Sequence, residues 1–228
     1  MDGILEELVQ SPELYTYFKK IEEFIKEENK KREEFYTIIE EKDKAEFING
    51  EIIIHSPVKL NHNQVLGLLF TLMNSYVNLN NLGYVGIEKI LISLTRNDYE
   101  PDICFFNKEK SDMFTSTQMK FPSPDLIVEI LSESTEKFDR GIKFKDYALH
   151  SVGEYWLIDP QEEFVEQYIL ADKTYKLNIK SSTGTIKSSV ITGFEIPVKS
   201  MFNKKENINV INNFFKIFSE AAPHANNT

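Results

Sequence analysis

Two carboxylates lie inside runs of apolar residues in the middle of the chain. Asp102 stands in the segment PDICFF, and Glu129 stands in the segment PDLIVEIL. A buried carboxylate is costly unless a cation or a metal ion compensates its charge. The residues therefore leave two explanations open for Glu129. It binds a divalent metal together with Asp102, or it forms a buried salt bridge with Lys143 or Arg140.

A longer series of motifs surrounds these acids and resembles one known family. The motifs are, in chain order, EFINGEIIIHSPVKLNHNQ, EPDICFF, PDLIVEILSESTEKFDRGIKFKDYALHSVGEYWLIDP and TGFEIPVKSMF. Together they resemble the Uma-two family of the PD-(D/E)xK nuclease superfamily, over residues 32–203. The resemblance implies an α/β protein with a restriction-endonuclease-like mixed β-sheet flanked by helices.

The resemblance also implies which residues bind the metal. Asp102, Glu129 and the main-chain carbonyl of Ile130 match the ligand positions. Oxygen ligands of this kind favour Mg²⁺ or Mn²⁺ over zinc. The superfamily lysine usually follows the second acid by two residues, but that position is Leu131 in this sequence.

The missing lysine is expected on the next helix, at Lys143, with Lys145 as the fallback. Residues 136–150 have the charge and spacing of one helix, and Lys143 borders its apolar stripe. The stripe is expected to face the sheet and consists of Phe138, Ile142 and Leu149, with Tyr147 and Ala148 nearby. Lys145 is rotated by about 200° from Lys143 on such a helix, so both cannot serve one site. The alternative role for Lys143 is a helix pair with Asp139, four residues earlier, worth a few tenths of a kcal/mol.

Two further residues match family positions. Glu51 follows the turn of a predicted hairpin, and it is either another acid of the site or an exposed strand residue. His62 opens a predicted helix. It is either a proton shuttle or phosphate contact, or a histidine with a structural role.

The resemblance implies a Mg²⁺-dependent endonuclease that hydrolyses DNA phosphodiester bonds, and two acids with a lysine are consistent with that chemistry. Fold alone does not fix activity, so two alternatives remain open. One is a catalytically inactive protein that binds nucleic acid. The other is a protein-interaction domain in which Asp102, Glu129 and Lys143 form only an ion-pair cluster.

Local patterns predict the elements that position these residues. Asn49–Gly50 between two apolar runs predicts a hairpin with a type I′ turn. Periodicity predicts helices over 3–40, 61–80, 136–150 and 209–218, and strands within 84–94, 101–106, 125–131, 154–158, 164–170, 175–180 and 188–191. The expected organisation is a helical extension (1–31), one α/β domain (32–203), and a C-terminal helix with a disordered tail (204–228).

The N-terminal extension carries a narrow apolar stripe at spacings of four, three and four. The stripe consists of Leu14, Phe18, Ile21 and Ile25. It either packs against the domain or forms a dimer contact. We expect a homodimer, because two sites related by a two-fold axis are the simplest way to cut both strands of a duplex.

Composition limits the class of protein. A net charge of −10 argues against a protein that coats nucleic acid through a basic face, but less against an enzyme whose metal supplies local positive charge. The single Cys104 excludes an internal disulfide and a cysteine zinc cluster. No apolar run approaches the ~18 residues of a membrane span, and residues 1–10 lack signal-peptide features. We therefore expect a cytoplasmic protein with DNA as its partner and no membrane association.

Overall fold

The computed structural model describes residues 3–40 and 43–221, so the predicted tail at 222–228 lies outside the described residues. The helices are α1 (Gly3–Gln10), α2 (Leu14–Ile38), α3 (Leu60–Leu79), α4 (Lys108–Ser111), α5 (Glu136–Asp139), α6 (Ile142–Leu149) and α7 (Lys204–Ala221), with a 3₁₀ helix at Val198–Met201. The strands are β1 (Ala45–Ile48), β2 (Glu51–Ile54), β3 (Gly83–Ile87), β4 (Leu91–Ser93), β5 (Asp98–Tyr99), β6 (Ile103–Asn107), β7 (Lys120–Phe121), β8 (Leu126–Ile130), β9 (Glu154–Asp159), β10 (Phe164–Ala171), β11 (Thr174–Ser181), β12 (Thr185–Lys187) and β13 (Glu195–Pro197). None of the described helices is long and apolar enough to cross a membrane.

The backbone forms two compact units. The first runs over Met1–His55 and Thr95–Tyr99, and the second over Ser56–Leu94 and Glu100–Thr228. Helices α1 and α2 and strands β1, β2 and β5 belong to the first unit, and the remaining elements belong to the second. The predicted domain boundaries after residues 31 and 203 stay predictions.

The first unit contains the hairpin that the Asn49–Gly50 pair predicts. Strands β1 and β2 are antiparallel, and Ile48 lies opposite Glu51. Asn49 has φ of 52° and Gly50 has φ of 82°, the two positive angles that a type I′ turn requires. The hairpin prediction is confirmed, and β1 also pairs with β5 through Phe47 and Asp98.

Ion pairs fix the C-terminal half of α2 within the first unit. Arg32 donates two hydrogen bonds to Asp98, at 2.6 and 2.8 Å. Arg96 forms a similar fork with Glu28, with both distances 2.7 Å. Phe35 is fully buried beside them. The last three turns of α2 are therefore held by charge and by packing.

The N-terminal half of α2 differs from two expectations. The helix predicted over 3–40 is interrupted between α1 and α2, where Pro12 has no N–H to donate. The apolar stripe from Leu14 to Ile25 is 41–53% exposed. The interpretation that this stripe packs against the domain is therefore wrong.

The second unit is built on a mixed six-stranded sheet. Its strand order is β11-β10-β9-β8-β6-β3. Strands β8 and β9 are parallel and are connected through α5 and α6, whereas the other neighbouring pairs are antiparallel. This architecture confirms the predicted mixed sheet flanked by helices. Strand β6 begins directly after Asp102, and β8 contains Glu129. The two strands are direct neighbours in the sheet.

The two faces of β8 have different surroundings. Leu126, Val128 and Ile130 belong to the apolar core, together with residues of α3 and α7. Side chains alternate along a strand, so Glu129 points to the opposite face. That face packs against α6. The ring of Tyr147 on α6 lies 5.4 Å from the ring of Tyr155 on β9. The sequence of β8 thus separates an apolar side from a side that carries a carboxylate.

Two predicted strands are corrected. The run 84–94 divides into β3 and β4, because Glu88 turns the chain with φ of 59°. Residues 188–191 form a bend rather than a strand. The hydroxyl of Ser188 accepts hydrogen bonds from the amides of Val190 and Ile191, and it donates to the buried Glu154 carboxylate. These side-chain bonds compete with strand pairing.

The predicted helix over 136–150 is also divided, into α5 and α6. A Cβ on Gly141 would lie 2.5 Å from the carbonyl oxygen of Lys137, so the backbone needs glycine there. Arg140 stabilises the break by binding Glu166 on β10 at 2.6 Å and Glu136 at 2.8 Å. The orientation of α6, and of Lys143 in its first turn, therefore depends on this break.

We expect Glu166→Gln to destabilise the protein in a pH-dependent way. Burial disfavours the ionised Glu166, but hydrogen bonds from Arg140, Lys180 and Tyr168 outweigh burial and lower its pKa to about 2. A lowered pKa in the folded state stabilises the protein above the ordinary pKa, and this contribution is lost as pH falls toward 2. Near pH 7 the substitution should cost about 2 kcal/mol of unfolding free energy.

The measurement is the melting temperature at pH 7, 5 and 3, with Glu162→Gln as a control at an exposed acid. The gap between the parent and Glu166→Gln should be constant from pH 7 to pH 5 and should narrow at pH 3. If the two melting temperatures differ as much at pH 3 as at pH 7, the pKa of Glu166 is not lowered by these partners.

Candidate active site

Asp102 and Glu129 come together because β6 and β8 are antiparallel neighbours. Ile103 lies opposite Val128. The same register, continued by one residue, sets Asp102 opposite Glu129, and opposed residues have Cβ atoms about 5 Å apart. Asp102 is 5% exposed and Glu129 is 4% exposed. Two acids separated by 26 residues in sequence thus share one buried location.

The Asp102 carboxylate is held by a backbone amide and by a histidine. The N–H of Ile130 donates to Oδ2 of Asp102 at 2.8 Å. Nε2 of His62, in the first turn of α3, lies 3.2 Å from the same oxygen. His62 is 5% exposed, and its buried Nδ1 has no hydrogen-bond partner among residues 3–40 and 43–221. These contacts orient the acid from two sides.

The Glu129 carboxylate binds the ammonium group of Lys143. Nζ of Lys143 lies 3.1 Å from Oε1 of Glu129 and 3.2 Å from Oδ1 of Asp139. The hydroxyl of Tyr147 also donates to Oε1 of Glu129, at 3.1 Å. Lys143 is only 2% exposed and Asp139 only 1%. A lysine charge is therefore buried between two carboxylates.

The structure separates the two lysines that the sequence offered. Lys143 faces Glu129, whereas Lys145 is exposed on the other side of α6. Lys143 is more deeply buried than a position at the border of a stripe, because the buried face of α6 is formed by Asp146, Tyr147 and Ala148. Leu149, which was expected to face the sheet, is 62% exposed.

The alternative salt bridges proposed from the sequence are also resolved in part. Glu129 pairs with Lys143, and Arg140 pairs with Glu136 and Glu166 instead. The i−4 pair between Asp139 and Lys143 is present, but it is buried rather than on the surface. An ion pair at Glu129 does not exclude a metal, since both compensate the same buried charge.

Glu51 belongs to the first unit, where it opens β2 with an exposed side chain. The exposed side chain agrees with its interpretation as a strand residue after a turn. The second unit contains all the other predicted site residues, which are His62, Asp102, Glu129, Ile130, Lys143 and Lys145.

Sequence reasoning missed one polar partner of the site, Tyr147, and the burial of another, Asp139. Tyr147 follows Lys143 by four residues on α6, and this spacing is the signal that could have revealed it, since such residues share one helix face. Asp139 was considered as a helix partner of Lys143, although it lies on α5, before the break at Gly141. The hydroxyl of Tyr155 donates to the main-chain carbonyl of Asp139 at 3.0 Å and so fixes the end of α5.

The donor set fits a hard divalent cation. Within the described ranges, no three His, Cys, Asp or Glu side chains are arranged to hold a metal by themselves. Two carboxylates and a main-chain carbonyl suit Mg²⁺, which keeps several water ligands and often takes others from substrate phosphates. Burial raises the pKa of the nearby Cys104 thiol, and the charge of Glu129 adds to this rise, so the thiol stays neutral and is a poor ligand.

Comparisons with known proteins identify the fold and the family of the chain. A solved structure described as a "putative nuclease belonging to DUF820" from Anabaena variabilis shares the fold, with a TM-score of 0.64 and 20% identity over 75% of this chain and 96% of that chain. "Uncharacterized protein sll1609" of Synechocystis sp. is 33% identical over 129 residues, covering 55% of this chain and 72% of the relative. "Uncharacterized protein slr1290" of the same organism is 32% identical over 112 residues, covering 47% of this chain and 56% of that relative.

A family model described as "Putative restriction endonuclease" matches residues 32–199. This match and the nuclease-like fold support a nuclease-type function. The matched segment contains every residue of the buried site described above. The chain belongs to the Uma2 family of restriction-endonuclease-like proteins.

Proposed function

We propose that the protein is a Mg²⁺- or Mn²⁺-dependent endonuclease that hydrolyses DNA phosphodiester bonds. The observation that carries the proposal is the buried ammonium group of Lys143, which lies 3.1 Å from Glu129. Glu129 is on β8, next to the strand that Asp102 precedes. Two acids and a lysine in one buried location form a set that can bind a metal and a phosphate together. An ion-pair cluster with a purely structural role does not require the second acid, Asp102.

Asp102, Glu129 and the carbonyl of Ile130 would hold the metal. The bound ion would lower the pKa of a water molecule and neutralise charge on the phosphate. Ile130 is suited to this role because its amide already lies 2.8 Å from Asp102, so its peptide borders the site. His62 orients Asp102 through the contact between Nε2 and Oδ2. His62 is therefore a positioning residue.

Lys143 would donate a hydrogen bond to the attacking water or to the phosphate oxygen that gains charge. A donor aimed at developing charge from a buried position stabilises the transition state more than an exposed one. Asp139 orients the lysine, at 3.2 Å, and Tyr147 restrains Glu129. Glu51 and Lys145 are exposed and receive no role in this mechanism.

We also propose that the enzyme acts on duplex DNA as a homodimer. Two copies of one site, related by a two-fold axis, can cut the two antiparallel strands in equivalent ways. With a net charge of −10, the protein depends on the metal and Lys143 for local attraction to the backbone.

The first prediction concerns metal binding. Parent protein should bind Mn²⁺ in isothermal titration calorimetry, and Asp102→Asn and Glu129→Gln should each lose that binding, because each removes a charged ligand from the same ion. Glu133→Gln is the matched control, since this exposed acid follows the same strand and pairs with the surface residue Lys59. If either site variant binds Mn²⁺ as tightly as the parent, the ligand assignment is wrong.

The second prediction concerns the lysine. Lys143→Met should reduce nicking of plasmid DNA in Mg²⁺ or Mn²⁺ by roughly 10²–10³, the scale of losing one transition-state donor. Lys145→Met, two residues away on the exposed side, should cut at the parent rate. The double variant Asp139→Asn/Lys143→Met preserves charge balance in the buried cluster, and it should fold and remain inactive.

Three outcomes would overturn parts of this account. If Lys143→Met cuts normally and Lys145→Met does not, the lysine is misassigned. If neither substitution matters in an active protein, the idea of a lysine relocated to the helix fails. A parent protein that binds Mn²⁺ and DNA without cutting would favour the inactive nucleic-acid-binding alternative.

A further inference from the structure

Helix α2 carries a broad apolar face that is open to solvent. The stripe residues Leu14, Phe18, Ile21 and Ile25 are flanked by three exposed aromatic rings, those of Tyr15, Tyr17 and Phe24, and all seven side chains are 38–71% exposed. Isolated exposed apolar residues are ordinary, but a contiguous patch of seven large apolar side chains marks an interaction surface.

The stripe continues along α2 as one line of heptad positions, and the positions near the C-terminal end of the helix are already in contact with other residues. Spacings of four and three run without interruption through Leu14, Phe18, Ile21, Ile25, Glu28, Arg32 and Phe35. This is the pattern of the a and d positions of a coiled coil. The last three positions have contacts inside the first unit. Glu28 pairs with Arg96, Arg32 pairs with Asp98, and Phe35 is completely buried. Only the first two heptads have their seam exposed.

We propose that the exposed half of α2 pairs with the same segment of a second copy of this chain, in antiparallel orientation. A two-fold axis between Phe18 and Ile21 puts Leu14 opposite Ile25 of the second copy and Phe18 opposite Ile21 of the second copy. Each layer then combines an a with a d position, and the interface is self-complementary. Tyr17 comes beside Phe24 of the second copy in the same arrangement.

The size of the face suits a dimer. At roughly 100 Å² for each half-exposed side chain, the seven residues would bury about 700 Å² per copy, close to the ~800 Å² that each partner gives to a standard interface. Helix α1 can add to this area, because Ile4, Leu5 and Val9 are 49–72% exposed.

The charges on α2 favour a protein partner over a membrane. Helices that bind anionic lipid carry a face rich in Lys and Arg. Basic and acidic side chains occur in equal number along α2, and some pair within the helix, as Lys19 does with Glu22 at 2.8 Å. The polar side of α2 therefore has no net positive charge that would attract a lipid surface.

Multi-angle light scattering at micromolar concentration tests the interface without DNA or metal, so its outcome is independent of the nuclease proposal. The parent should have twice the 26.5 kDa mass of one chain. Ile21→Glu/Ile25→Glu should be monomeric and should still unfold in one cooperative transition, because both side chains are exposed within one chain. Thr16→Glu/Lys20→Gln makes the net charge more negative by the same two units on the opposite side of the helix, and it should stay dimeric.

Cysteine cross-linking tests the orientation. Phe18→Cys and Ile21→Cys chains, when mixed, should form a mixed disulfide more readily than either forms one with itself, and the native Cys104 is buried and does not compete. A monomeric parent, or a dimer that persists in Ile21→Glu/Ile25→Glu, would overturn the proposal. Preferential cross-linking of Ile21→Cys to itself would overturn the antiparallel arrangement.

Discussion

The buried charge of Lys143 is the constraint on which the second unit depends. Removing an ammonium group from water costs several kcal/mol, and only close carboxylates can compensate it. Glu129 and Asp139 do so, at 3.1 and 3.2 Å. Deleting one partner of such a pair costs about 3–5 kcal/mol. The chain therefore has to bring a central strand and a helix into one fixed relation.

Several features of the fold serve that relation. Glu129 is fixed by its position on β8, between β6 and β9 in the middle of the sheet. Asp139 and Lys143 lie on either side of the break at Gly141, which Arg140 anchors to Glu166. The ion pair, the glycine and the arginine thus act together to fix the position of α6. We infer that they also fix the ammonium group of Lys143 for phosphate chemistry, because a group held by buried partners needs no reorganisation when a reaction begins.

The sequence predicted most of the fold because its local signals agree with the tertiary structure. The Asn49–Gly50 turn, the apolar strand around Glu129 and the period of α3 each follow from residues close in the chain. The predictions failed where a distant group decides the backbone. Residues 188–191 have the composition of a strand, but their hydroxyls and amides bind the Glu154 carboxylate, 34 residues away for Ser188. Pattern alone does not reveal that bond.

The candidate site was predictable to a similar degree. Two acids in apolar runs were visible as residues that need compensation, and family resemblance indicated Lys143. The role of Tyr147 and the burial of Asp139 were not recognised, because the buried face of the predicted helix was assigned from apolar residues only. The burial of Lys143 itself ran against the expectation for a charged side chain. A buried lysine is evident only when the positions of both carboxylates are known.

The central claim is that Asp102 and Glu129 together bind a divalent cation beside Lys143. Anomalous X-ray diffraction from crystals soaked in Mn²⁺ tests it most directly, because the signal locates the ion without reference to activity. We expect one strong peak about 2.0–2.3 Å from carboxylate oxygens of both acids, the range for hard oxygen ligands. No peak there at saturating Mn²⁺, or a peak that contacts only one of the two acids, would contradict it.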